Sequence, residues 1–112
     1  MILRRWDIVF ARLDDSDTAG HPAIVLSHDA RLNAPEAQRI NVLFGSKKRP
    51  AEATGDHHAL LNGADGLDFL TAVDCSFIHV IRKSSIVRSG GYVSLERRRD
   101  IQRKIRACLG LG

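Results

Sequence analysis

The chain has 112 residues, with 17 Lys and Arg against 13 Asp and Glu and a formal charge of +4. That length builds one hydrophobic core and is too short for two, so residues 1–112 are expected to form a single domain. No run reaches the roughly 20 apolar residues of a membrane helix, no apolar segment of a secretory signal precedes Arg5, and Cys75 and Cys108 are too few for a disulfide framework or a metal cluster. A reduced, cytoplasmic protein with no membrane attachment is expected. The mild positive balance suits a polyanion-binding surface and suits solubility equally well.

In chain order, residues 6–13 alternate, with Trp6, Ile8 and Phe10 on one face and Asp7 opposite, which predicts a first strand. An acidic loop with Asp14, Asp15 and Asp17 leads to Gly20-His21-Pro22, where Pro22 suits a strand entry because it fixes φ and lacks an amide hydrogen. His21 thus sits at a loop edge, a usual place for a binding or catalytic side chain. Residues 22–27 and 40–44 are further short apolar strands, and Gly45-Ser46-Lys47-Lys48-Arg49-Pro50 interrupts after the second. A brief strand is expected over 57–61, before the Asn62-Gly63 and Asp65-Gly66 turns. Residues 69–81 form the longest strand candidate, and Gly90-Gly91 precedes a short extension at 92–93.

The tail changes period. Ser94 can cap a helix in which Leu95, Ile101, Ile105, Cys108 and Leu109 share one face, and Gly110 can end it. Arg97, Arg98, Arg99, Arg103, Lys104 and Arg106 occupy the other face, as a solvated surface or a docking surface for an acidic partner. Cys75 and Cys108 are both expected to be buried as small hydrophobes. About five short strands followed by one basic helix make a mainly β fold with a C-terminal helix.

Several residues invite chemistry. Lys47, Lys48 and Arg49 form a run able to clamp phosphates, or simply to be solvated. His57 and His58 are adjacent, so a strand would send them to opposite faces, with one within reach of a cleft and the other exposed. No His, Cys, Asp or Glu spacing matches a zinc site, so no metal and no cofactor are expected. His79 is expected in the core or an interface, and Trp6 and Phe10 in the core and not as base-stacking rings.

With Trp6-Asp7-Ile8-Val9, Ala19-Gly20-His21-Pro22-Ala23-Ile24-Val25-Leu26-Ser27, Asn41-Val42-Leu43-Phe44-Gly45-Ser46 and Val73-Asp74-Cys75-Ser76 in this order, the chain resembles the MazF/PemK family of toxin–antitoxin ribonucleases over nearly its whole length. The resemblance implies an SH3-like or CcdB-like small β-barrel, a homodimer and a cognate antitoxin as partner. It also implies metal-independent, sequence-selective cleavage of single-stranded RNA to a 2′,3′-cyclic phosphate and a 5′-hydroxyl, with growth inhibition, and DNA binding only through the antitoxin complex. His21 and Ser46 occupy the catalytic positions, and Lys47, Lys48, Arg49 and His57 are the nucleic-acid-binding candidates. Two departures stand out: His21 replaces an arginine before the proline, and Ser76-Phe77 replaces an aspartate-glutamine pair. They open an alternative, a catalytically impaired homologue that binds nucleic acid, an antitoxin or, as in the related CcdB branch, a gyrase-type target.

Overall fold

The computed structural model describes residues 2–47 and 55–112. Its strands are β1 (Asp7–Ala11), β2 (His21–Val25), β3 (Arg39–Lys47), β4 (His58–Leu61), β5 (Thr71–Asp74), β6 (His79–Arg82) and β7 (Ile86–Tyr92), with helices α1 (Asp29–Leu32) and α2 (Leu95–Leu109). The strands pair antiparallel in the order β4-β5-β3-β2-β1-β7, with β6 also on β3. The expected mainly β fold with a C-terminal helix is what forms, and the barrel is a loose one, because the path of described strands runs from β4 to β7 without closing.

Strand β1 lies inside the sheet, between β2 and β7. Its alternation sends Ile8 and Phe10 into a core with Trp6, Ile24, Leu43, Leu61, Val93 and Ile101. Val9 points the other way, into a second cluster with Val25, Leu32, Ile40 and Val42. Each fully buried aliphatic side chain contributes about 2 kcal/mol of transfer free energy, so both faces of β1 draw the sheet together. Trp6 enters β1 at φ 77°, a backbone conformation that a bulky side chain adopts only when its surroundings hold it. Here its N–H donates to the Val25 carbonyl at 2.7 Å and its carbonyl accepts from Val93 at 2.9 Å.

Three expectations about elements change. The continuous strand over 69–81 is two strands, because the Asp74 carboxylate accepts the N–H of Ser76 at 2.9 Å and also its hydroxyl, folding the chain out of register. Strand β3 runs on through Gly45, Ser46 and Lys47, which pair with Val73, Ala72 and Thr71 of β5, where a turn was expected. The extension expected at 92–93 lies at the end of β7, which begins at Ile86 and stops at Tyr92.

Helix α2 starts after Ser94 as expected, but the Ser94 hydroxyl makes no capping bond. The buried carboxylate of Asp65 organises this end instead: it accepts the N–H of Asn62 at 3.1 Å and of Ser94 at 3.0 Å, with Arg97 Nε at 3.3 Å. The basic face is also less solvated than its pattern implies. Arg98 Nε donates to the Val93 carbonyl at 2.7 Å, and Lys104 Nζ donates to the Asp56 carbonyl at 2.9 Å. Gly110 ends the helix in the left-handed region at φ 68°.

Cys75 is buried and Cys108 is exposed, against the expectation that both are buried: on α2 burial is complete at Ile101 and partial at Ile105, and the residues beyond are exposed. Burial pushes the Cys75 thiol up to about 12, so it carries almost no thiolate at neutral pH. A disulfide-exchange reagent at pH 8 is expected to modify Cys108 in the native protein and to reach Cys75 only after denaturant is added, as read by the stoichiometry of released chromophore. Ile101→Ala, at the one α2 residue buried in the core, is expected to cost about 3 kcal/mol in urea unfolding.

Candidate functional site

The first strand pair creates the site's geometry. Gly20 precedes β2 at φ +80°, and a Cβ there would lie 2.9 Å from the backbone carbon of Phe10. Only glycine fits this close approach, and it delivers His21 to the mouth of a cleft. Pairing between β2 and β3 runs through Ala23–Phe44, Ile24–Leu43 and Val25–Val42. β3 continues to Lys47 against β5, leaving a cavity of about 410 Å³ between the two strand ends. His21, Ser46 and Lys47 line it together with Phe10, Phe69 and Arg88.

His21 Nδ1 lies 2.8 Å from Asp17 Oδ2, with the imidazole about half exposed. A carboxylate can only accept, so the shared proton sits on Nδ1 and the neutral ring carries its lone pair on Nε2. The Asp17 carboxylate also accepts the N–H groups of Leu13 at 3.1 Å and Gly20 at 3.0 Å. The Leu13 N–H, above all, holds its carboxyl below the usual 3.8, against the opposing pull of desolvation and with help from His21 and Gly20. The loop therefore orients the histidine as a second residue orients a catalytic base. Ser46 is exposed at the end of β3, and the Lys47 ammonium lies 5.1 Å from the centre of the Phe69 ring.

Thus three of the six site candidates, His21, Ser46 and Lys47, meet at one cavity. Lys48 and Arg49 lie outside the described residues. His57 is not among the residues lining this cavity. It stands in the turn before β4, its ring 4.1 Å from that of His58, so the two histidines do not diverge as a strand would make them. His79 is exposed on β6, packed edge-on against Phe44 at 5.1 Å, and is not a core residue. Trp6 and Phe10 are buried in the core as expected.

Two residues of the site escaped the reading of the sequence: Arg88, which lines the cavity, and Asp17, which lies behind it and holds His21. Asp17 had a usable signal, a carboxylate four residues before a histidine across a glycine turn. Arg88 had none, since only the pairing of β7 with β1 brings it to the cavity.

A second group of polar residues stands apart from this cavity. His57, His58 and Asp74 bring ligand-type atoms within 4.8 Å of one another, a constellation that sequence spacing did not suggest. Burial pushes the Asp74 carboxyl up, but the Ser76 hydroxyl and N–H, with His57 and His58 nearby, outweigh it and hold the group below 3.8. His58 Nδ1 accepts the Gly55 N–H at 3.0 Å. A neutral ring accepting there carries its proton on Nε2, so His58 fits a hydrogen-bonding role better than metal ligation. No helix among the described residues is long and apolar enough to cross a membrane.

The family model of PemK-like, MazF-like toxins of type II toxin–antitoxin systems matches residues 4–109. No curated protein is significantly similar in sequence. Among solved structures, an endoribonuclease in complex with its cognate antitoxin from a mycobacterial species superposes with a TM-score of 0.77 at 15% identity, covering 99% of this chain and 96% of that one. The Mycobacterium tuberculosis toxin MazF-mt6 gives 0.77 at 17% identity, covering 95% and 98%. A MazE–MazF structure from Deinococcus radiodurans gives 0.73 at 13% identity, covering 98% and 97%. At these identities the likeness is one of fold.

The Asp17 carboxyl is held below its unfolded value, so its stabilisation of the loop is complete above that value and lost as pH falls through the lowered folded one. The amides of Leu13 and Gly20 are therefore expected to keep their exchange protection from pH 7 down to about 4 and to lose it at lower pH. Asp17→Ala is expected to abolish that protection already at pH 7. Hydrogen exchange followed by NMR checks both.

Proposed function

Because the chain belongs to the PemK-like, MazF-like toxins of type II toxin–antitoxin systems, we propose that it is a sequence-selective, metal-independent endoribonuclease whose centre is the cavity holding His21, Ser46 and Lys47. The observation that carries this reading is the His21–Asp17 pair at the mouth of that cavity. RNA cleavage without a metal needs a base at the 2′-hydroxyl, a proton for the departing 5′-oxygen and cations around the phosphate. His21 Nε2, with Asp17 holding Nδ1–H, takes the proton from the 2′-hydroxyl. The 2′-oxygen then bonds to phosphorus as the bond to the 5′-oxygen breaks. That oxygen leaves protonated, from the Lys47 ammonium or water, giving a 2′,3′-cyclic phosphate and a 5′-hydroxyl. Ser46 orients the phosphate by hydrogen bonding, and Lys47 offsets its charge.

The chain is further proposed to act in the cytoplasm as a homodimer inhibited by a cognate antitoxin, with single-stranded RNA as substrate and any DNA contact made through the antitoxin complex. The neighbouring endoribonuclease complex with its antitoxin supports the partner. The exposed apolar residues Phe77, Ile78 and Val80 support a protein-covered surface beside the sheet. One observation favours a second reading, a non-catalytic toxin that binds nucleic acid, its antitoxin or a gyrase-type target: His21 stands where the family's arginine was expected.

Incubation with single-stranded RNA in EDTA separates the two. Cleavage to 5′-hydroxyl ends is expected, with His21→Ala slowing it by about 100-fold or more and Ser46→Ala by about tenfold. Growth arrest on expression with intact RNA gives the second reading, and wild-type rates in His21→Ala withdraw the histidine from the mechanism.

A further inference from the structure

The cavity lacks the arginine before the proline, yet it does not lack a guanidinium. Arg88 reaches it from β7, a strand remote in sequence from both halves of the site. Within the sheet, Phe10 of β1 faces Pro22 on one side and Arg88 on the other, so one cross-strand row joins the loop that carries His21 to Arg88. The pairing of β1 with β7 shifts register on both sides of this row, between Ile8 and Val9 and between Phe10 and Ala11. Such bulges re-aim the side chains beside them. Gly90 makes room: a Cβ there would come within 2.4 Å of Phe10 Cε2. The Phe10 ring occupies that space, and the Arg88 guanidinium carbon lies 3.6 Å from its centroid.

This is a held charge. Stacking on an aromatic face restrains the guanidinium while leaving the N–H groups, which point outward in its own plane, to bind an anion. Among the described residues no carboxylate forms an ion pair with Arg88, so none of them neutralises its charge. Lys47 is arranged alike, its ammonium beside the Phe69 ring on the same cavity. The imidazole of His21 lacks the permanent charge and planar fork that suit a phosphate.

We propose that Arg88 is the phosphate-binding arginine of this site, contacting the non-bridging oxygens of the scissile phosphodiester while His21 handles the proton. Resting on the ribonuclease reading, it divides between two side chains the work that a single arginine before the proline would otherwise share. The charge gathering on the phosphoryl oxygens is then met by a fixed guanidinium and the Lys47 ammonium. Arg88 is a catalytic residue in this scheme, since it touches the reacting phosphate.

Arg88→Met removes the charge and keeps a flexible apolar stem over Phe10, whereas Arg88→Lys keeps a charge without the fork. Cleavage of a mixed-sequence single-stranded RNA is expected to fall about 100-fold in kcat/KM for Arg88→Met, with thermal unfolding unchanged. Arg88→Lys is expected to recover part of that loss. Affinity for a 2′-deoxy oligonucleotide of the same sequence, titrated with salt, is expected to lose about 0.7 from its log–log slope in Arg88→Met, the signature of one lost phosphate contact. A wild-type enzyme that cleaves RNA, with Arg88→Met within about twofold of it and an unchanged salt slope, overturns the assignment and leaves the ribonuclease reading standing. A wild type that binds but does not cleave removes the ribonuclease reading, and the salt slope then decides Arg88 as a binding residue. A wild type that neither cleaves nor binds overturns both.

Discussion

The burial of β1 on both faces is the constraint from which the rest of the structure follows. Ile8, Val9 and Ala11 are fully buried, and Phe10 nearly so. A strand in that position must have neighbours on both edges and apolar cover on both sides, because its backbone polar groups have no access to water. Strands β2 and β7 supply the edges. Trp6, Val93 and Ile101 cover one face, and Val25, Leu32 and Ile40 cover the other. The C-terminal helix is thereby tied to the first strand, with Asp65 bonding the segment after β4 to the start of α2.

The same strand assembles the cavity. Phe10 is both a core residue and a wall of the site, so the row that stabilises the sheet also sets the distance between its two functional edges. Gly20 permits the loop to press against the Phe10 backbone, and Gly90 leaves room for the Phe10 ring beside β7. A larger residue at either place would displace an electrostatically important neighbour, His21 in the first case and Arg88 in the second. Stability and chemistry are thus coupled through one aromatic side chain, which is why core substitutions near Phe10 cannot be interpreted as packing changes alone.

Electrostatically, the site separates roles that one side chain could combine. Asp17 and His21 form a hydrogen-bonded pair on the acidic loop, while Lys47 and Arg88, which pair with no carboxylate among the described residues, sit on β3 and β7 across the cavity. Asp17 does not neutralise those cations, since its carboxylate is engaged by Leu13, Gly20 and His21. Aromatic rings under Arg88 and Lys47 restrain cations without discharging them.

By itself the sequence determined what depends on near neighbours: the alternation of β1, the strand entry at Pro22 with His21 at its edge, and the helical period of α2 with its stop at Gly110. These rest on side-chain periodicity and on the restricted φ of proline and glycine, both local properties. Only the tertiary structure decided what depends on register. It split residues 69–81 at the Asp74–Ser76 turn, left Cys108 beyond the edge of the core, turned Asp17 onto His21 and carried Arg88 to the cavity through bulged pairing. A strand's own pattern tells which face its side chains take, but not which strand lies beside it or where the pairing slips by a residue. The cation missing before Pro22 was therefore visible in the chain as an absence, whereas the guanidinium of Arg88 at the same cavity became visible only once β7 was laid against β1.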